Sequence, residues 1–141
     1  MAIRNKILII GAGRLGSIIA DRASARGENV IVLDERDSSF RKLDEAFTGF
    51  KVTGDATDIT LLKQDCYIDS VEEVVIVTGN DNTNLFLAHL CAIIFKIPKV
   101  YVRFDDPDKD ILINGVPNVK AVYPSDLSAN KFFQIEAEGN K

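Results

Sequence analysis

The apolar run Lys6–Ile10 meets Gly11-Ala12-Gly13-Arg14-Leu15-Gly16 with nothing between, and an amphipathic stretch opens at Leu15. A strand that turns on three glycines spaced G-x-G-x-x-G and enters a helix leaves few folds open. Gly11 permits the tight turn, Gly13 lets backbone approach a diphosphate, and Gly16 lets the helix pack on the strand. Free N–H groups at the helix start then face the phosphates. The unit from Ile7 to Asp34 is 28 residues long, near the ~30 of a first strand–helix–strand unit. It ends in an acidic residue 18 positions after Gly16, where a carboxylate that binds ribose belongs.

The rest of the chain keeps that alternation. Lys6–Ile10, Val30–Leu33, Lys51–Thr53, Val74–Thr78, Val100–Arg103 and Val119–Tyr123 read as strands. Several are nearly continuous Val/Ile/Leu, as strands buried on both faces of a parallel sheet should be. Between them lie helical patterns at Leu15–Arg26, Ser38–Phe47, Ile59–Lys63, Asn82–Phe95, Lys109–Ile113 and Ser125–Glu136. Right-handed crossovers make this an α/β protein: a Rossmann-type, doubly wound six-stranded parallel sheet in the order 3-2-1-4-5-6. The 141 residues, 46% of them hydrophobic, suffice for one such domain over residues 1–135, with a polar tail at 136–141 that frays.

Composition removes other classes. A net charge of −4 gives no bulk affinity for nucleic acid or anionic lipid. The longest apolar stretch, Leu90–Phe95, is six residues, against the ~20 needed to span a bilayer. The basic and apolar start, Met1–Ile10, has neither the apolar length nor the cleavage site of a signal peptide. Cys66 and Cys91 are too few and too far apart for a metal knuckle or a redox pair. The expectation is a soluble, cytoplasmic domain with no membrane insertion, no nucleic-acid partner, no metal site and no catalytic residue.

Ligands of such sheets bind beyond the carboxyl ends of the strands. There Asp34 would accept hydrogen bonds from adenosine ribose hydroxyls. A 2′-phosphate would meet Asp34 and Glu35 at short range, which disfavours NADP, although Arg36 softens the repulsion. Gly54-Asp55-Ala56-Thr57 follows the third strand, either at the adenine edge or as a turn with Asp55 or Thr57 capping the next helix. After the fourth strand, Thr78, Gly79 and Asn80 should line the crevice and meet the ligand, joined by Asn84 one turn into the next helix, with Asp81 as the cap of that helix. Arg103 ends the fifth strand, free to reach a phosphate or to pair with Asp105 or Asp106.

Taken together, GAGRLG, Asp34, GDAT at 54–57, T-x-x-D-x-x-N at 78–84 and VRFDDPD at 102–108 resemble the KTN/RCK (TrkA-N type) nucleotide-binding domain. That domain is the regulatory module of Trk and Ktr potassium-uptake systems and of related potassium channels. The resemblance covers essentially the full length, and GDAT is its most specific piece. It implies that the loop Gly11–Gly16 holds phosphates through Gly11, Gly13 and Gly16, and that Asp34 holds the ribose. By the same likeness Asp55 and Ala56 frame the adenine, and Arg103 and Arg14 are phosphate contacts, Arg14 across a subunit interface. The implied ligand is NAD(H), ATP, ADP or AMP. The implied partners are a second copy, as homodimer or ring, and a potassium transporter or channel subunit at the inner face of the membrane.

Two departures accompany the resemblance. Ligand-binding relatives continue into a C-terminal lobe that these 141 residues do not hold. Several also place an acidic residue after the proline that follows strand six, where Pro124 is followed here by Ser125 and then Asp126; no cation site is expected there.

The competing reading is an NAD-dependent oxidoreductase, or the cofactor domain of one. Hydride transfer wants a positioned acid–base group. The single histidine, His89, lies on an apolar helix stripe with Leu85 and Ile93, remote from the strand ends, and reads as a packing or interface residue. A third reading, an oligomerisation module without ligand, conflicts with the intact glycines and Asp34. Apolar residues around Asn82–Phe95, and Phe132, Phe133 and Ile135, are the candidate subunit surfaces.

Overall fold

The computed structural model describes residues 3–140. Six parallel strands form one sheet in the order β3-β2-β1-β4-β5-β6. The strands are β1 (Lys6–Ile10), β2 (Asn29–Asp34), β3 (Phe50–Thr53), β4 (Val71–Ile76), β5 (Lys99–Arg103) and β6 (Val119–Val122). Four α-helices accompany them: α1 (Arg14–Ala25), α2 (Ile59–Gln64), α3 (Asp81–His89) and α4 (Pro124–Gly139). The order expected from the sequence is the order found.

Alternation along the strands divides the core. Leu8 and Ile10 of β1, Ile31 and Leu33 of β2, and Val74 and Ile76 of β4 face one layer, with Leu62 of α2 and Leu87 and Ala88 of α3. Ile7, Ile9, Val30, Val32 and Val75 face the other, against Ala20 and Ala23 of α1. Each side chain so buried contributes about 1.5–3 kcal/mol relative to exposure, apart from the smaller alanines. Because both faces are covered, the inner strands read as unbroken apolar runs, and the alternation appears only in space.

Several elements differ from the sequence reading. The helix expected at Ser38–Phe47 is a 3-10 segment over Asp37–Lys42, after which Leu43 turns extended. Phe40, Leu43 and Phe47 still pack on the α1 layer, so their apolar spacing is real. The chain is drawn out of helix where the Asp21 carboxylate of α1 accepts the Asp44 N–H at 3.0 Å. β4 begins at Val71 and ends at Ile76, displaced toward the N-terminus from Val74–Thr78. Arg4 holds that early start by donating to Val71 O at 2.8 Å and to Phe95 O at 2.8 Å.

The helix expected at Asn82–Phe95 is α3 followed by a π-helical turn at Leu90–Ile94. Pro107–Leu112 is a 3-10 turn. α4 runs on to Gly139, through residues that the sequence reading leaves as polar tail. No residue of α4 is buried, and Leu127, Phe132, Phe133 and Ile135 lie exposed along it. Among the described residues, no helix is long and apolar enough to cross a membrane.

Candidate functional site

A cavity of about 530 Å³ opens at the carboxyl ends of the strands, where the chain order reverses between β1 and β4. That size suits a small organic ligand. Backbone bonds prolong the sheet into its walls: Gly11 N–H donates to Leu33 O at 2.8 Å and Val77 N–H donates to Ile10 O at 2.8 Å.

The glycines divide the work of the first wall. Gly11 takes φ +107°, and a Cβ there would stand 2.7 Å from Val77 O. Gly16 is tighter still, its would-be Cβ 1.8 Å from Gly11 O, so α1 sits directly on the turn. Gly13 is open, with nothing within 4 Å of a built Cβ, and it lines the cavity. Gly13 is also the N-cap of α1, and no side chain caps that helix. The amide groups of its first turn therefore remain for an anion, with the positive end of the helix dipole behind them.

Asp34 closes the β2 wall. Its Oδ2 accepts Ala12 N–H at 2.8 Å and its Oδ1 accepts Arg36 N–H at 2.9 Å. A carboxylate has about four acceptor positions, so one on each oxygen is unfilled, and the residue borders the cavity. Asp34, Glu35 and Arg36 all line it, joined by Ser39 from the 3-10 segment.

Gly54, Asp55 and Ala56 form the β3 wall. The Asp55 carboxylate accepts both the N–H and the hydroxyl of Thr57, at 2.8 and 2.7 Å, and these bonds hold its pKa below the ordinary carboxylate value. The cap of α2 is neither of these residues but Asp58, which accepts from Thr60 N–H and Leu61 N–H. On the far side stand Val77, Thr78, Gly79, Asn80, Thr83 and Arg103. Of the two expectations for Arg103 the structure shows the pairing, its guanidinium bonding Asp105 Oδ1 at 3.1 and 3.2 Å, and the residue also lines the cavity.

The structure thus brings twelve of the expected residues to one cavity: Gly11, Gly13, Asp34, Glu35, Arg36, Gly54, Asp55, Ala56, Thr78, Gly79, Asn80 and Arg103. Ala12, Leu15, Gly16 and Thr57 do not line it, Ala12 and Gly16 being buried and Thr57 exposed, and Arg14 is an exposed first residue of α1 outside the lining. Asn84 is buried and also does not line the cavity. Asp81 is not the cap of α3. Asn80 is, through Thr83 N–H at 3.0 Å, while the Asp81 carboxylate accepts the N–H groups of Asp105 and Asp106, both at 2.9 Å. Ile10, Leu33, Ser39, Val77 and Thr83 are lining residues that sequence reasoning missed. Ile10 and Leu33 were legible only as core, but each ends a strand already assigned to this edge.

His89 lies elsewhere. Its Nε2 is 2.9 Å from Leu112 O, which ties α3 to the Pro107–Leu112 turn. Cys66 and Cys91 are buried and free, with burial pushing each thiol up to about 12. Among the described residues no cluster of three or more His, Cys, Asp or Glu could hold a metal ion.

Comparison with known proteins agrees with this fold. Residues 7–124 match the TrkA-N domain. A Trk system potassium uptake protein TrkA from Streptomyces coelicolor is 32% identical over 118 residues, which is 82% of this chain and 52% of that protein. The GsuK channel bound to NAD superposes with a TM-score of 0.83 at 23% identity, over 96% of this chain and 24% of that one. The Kef CTD of Shewanella denitrificans, in AMP bound form, gives a TM-score of 0.76 at 22% identity, over 97% of this chain and 83% of that one. These two likenesses show the fold. The chain spans just over half the length of the curated relatives it matches. With the strand order, the glycine turn and the match over residues 7–124 in agreement, the chain belongs to the TrkA-N domain family.

Proposed function

We propose that this chain is a nucleotide-sensing regulatory domain of a potassium uptake system or channel. It would bind NAD(H) or an adenine nucleotide (ATP, ADP or AMP) and change how subunits pack. The observation that carries the reading is convergence: the uncapped start of α1, Asp34 with its unfilled acceptor positions and the Gly54–Ala56 wall border one cavity. Phosphate, ribose and adenine each have a complementary group there. Two structural neighbours, the GsuK channel bound to NAD and the Kef CTD in AMP bound form, support the ligand class. The names of the curated relatives support the potassium-uptake setting.

Roles follow from chemistry. Gly11 and Gly13 let a diphosphate approach the backbone, Asp34 orients the ribose, and Arg103 supplies positive charge. Asp34 and Glu35 oppose a 2′-phosphate, so NADP(H) is the weaker ligand. Arg14, at the mouth of the site and exposed, is a phosphate contact for a neighbouring copy in this reading. Self-association is supported by exposed apolar side chains on α3 and its π-turn (Phe86, Ile93, Ile94), on Ile111 and Leu112, and on α4. A membrane partner on the cytoplasmic side would read the packing change, which requires the ligand to favour one arrangement over another. No catalytic role is proposed: His89 is tied to Leu112 O and does not line the cavity.

Calorimetric titration of AMP, ADP, ATP, NAD⁺, NADH and NADP⁺ tests the reading. Binding of adenine nucleotides, with NADP⁺ weakest, is expected. At a hundredfold excess over Kd the best ligand should stabilise the fold by about 2.7 kcal/mol. Failure of all six to bind would overturn it, and steady NADH oxidation with a small carbonyl compound would favour an oxidoreductase instead.

A further inference from the structure

Ser17 and Asn84 are the buried polar residues among the described residues. Ser17 donates its hydroxyl to Ala12 O at 3.1 Å, a bond within the turn and helix that it belongs to. Asn84 is 0% exposed and joins two different strand ends. Its Nδ2 donates to Thr78 O at 3.1 Å and to Arg103 O at 2.9 Å, and its Oδ1 accepts the Thr78 hydroxyl. The ladder between β4 and β5 ends at Ile76 opposite Val102, so no strand pairing joins Thr78 to Arg103. One side-chain amide takes the place of the missing ladder.

The geometry points to Asn84 as a positioning residue for the phosphate-rich half of the ligand, an inference that rests on the nucleotide reading above. Thr78 and Arg103 line the cavity while Asn84 does not. An adenosine monophosphate is served by Asp34, the Gly54–Ala56 wall and the glycine turn, all on the β1–β3 side. A ligand that continues past the turn, such as a dinucleotide, must cross to Thr78 and the Arg103 guanidinium. That guanidinium is fixed at its head by Asp105 and at its backbone root by Asn84. Both Nδ2 hydrogens are used, and at zero exposure no water can replace them. Asn84 therefore sets how far Arg103 stands from Thr78, and with it which ligand length fits.

Asn84→Asp keeps size and shape but turns an amide that donates twice into an oxygen facing two carbonyls. Titrating AMP and NAD⁺ into wild type and variant by calorimetry tests the inference. Affinity for NAD⁺ should fall at least about tenfold, the loss of one hydrogen bond to a charged or rigid partner, while AMP stays within about twofold. Equal losses for both ligands would reduce Asn84 to general structure and overturn the inference, as would an unchanged NAD⁺ affinity. If the variant does not fold, the wild type decides: the Asn84 side-chain amide resonances should shift with NAD⁺ and hold with AMP. No shift with NAD⁺, or the same shift with both, overturns it. If wild type binds neither ligand, the nucleotide reading itself falls; if wild type binds both and the contrast is absent, only the role of Asn84 falls.

Discussion

Replacing Gly16 by Ala sets two local effects against each other, and the structure decides the sign. Gly16 is inside α1, where Ala is the better helix former by about 1 kcal/mol. A Cβ at that position, however, would lie 1.8 Å from Gly11 O and 3.1 Å from Val77 Cγ2. Ordinary contact begins at 3.4 Å, so the start of α1 would have to retreat from the turn by about 1.6 Å. Neither partner can yield easily. The carbonyl belongs to Gly11, whose φ of +107° and N–H bond to Leu33 O fix the turn, and Val77 is packed on the α1 layer.

Forced overpacking of this kind costs typically 1–3 kcal/mol and occasionally more. With backbone as the obstacle, the cost is at or above the upper end, about 3–4 kcal/mol, and the net after the propensity gain is about 2–3 kcal/mol of destabilisation. For a domain of this size that is a fall in Tm of roughly 6–12 °C. Scanning calorimetry on Gly16→Ala, with Gly13→Ala beside it, is the assay. Gly13 has open space around a built Cβ and a φ of −70°, so its substitution should cost only the N-cap preference for Gly over Ala and lower Tm by no more than about 3 °C. An unchanged or raised Tm for Gly16→Ala would show that helix and turn are not in this contact, and the packing argument for the motif would be wrong.

Asp34→Asn should be costly without any ligand. The two carboxylate oxygens accept from two different N–H groups, and an amide can offer an oxygen to only one of them. Urea titration should show a loss of about 1–3 kcal/mol, and a change within error would refute the bonding described. Cys66 and Cys91 should resist alkylation in the folded protein at pH 8, since burial pushes both thiols from 9.0 up to about 12. The folded state disfavours thiolate, so this contribution is intact below the unfolded pKa and is lost as pH rises from about 9 to 12. Denaturation midpoints flat across that window, or rapid labelling at pH 8, would count against it.

Much of the site is legible because its residues are placed by backbone rules. A strand that must turn on Gly11 into α1 fixes where Asp34 ends the next strand, and parallel crossovers put Gly54, Thr78 and Arg103 on the same edge. What escapes the sequence is set by partners far along the chain. Asp81 looks like a cap because it opens α3, yet it serves Asp105 and Asp106, 24 and 25 residues away. Phe40, Leu43 and Phe47 carry a helical spacing, but the 3-10 segment stops at Lys42 and the Asp44 N–H goes to Asp21 of α1 instead of to a helical carbonyl. Glu72 and Glu73 look like loop, and Arg4 anchors the strand at the residue before them. Asn84 reads as a ligand contact from its place in the motif, and only the structure shows it buried and bonded to Thr78 O and Arg103 O.

The two outer strands carry a consequence for assembly. β3 and β6 have four residues each, and each has an exposed lysine, Lys51 and Lys120. A parallel sheet with six strands presents two rows of unpaired backbone groups, and a longer, apolar edge would accept a strand from any passing copy. Here the row is too short to repay the entropy of docking another strand, and adding one in register would bring the lysines of two chains together. Both edges therefore disfavour strand addition between copies of this domain. A contact through a helical surface is used up once covered, whereas strand addition renews its own template at every step.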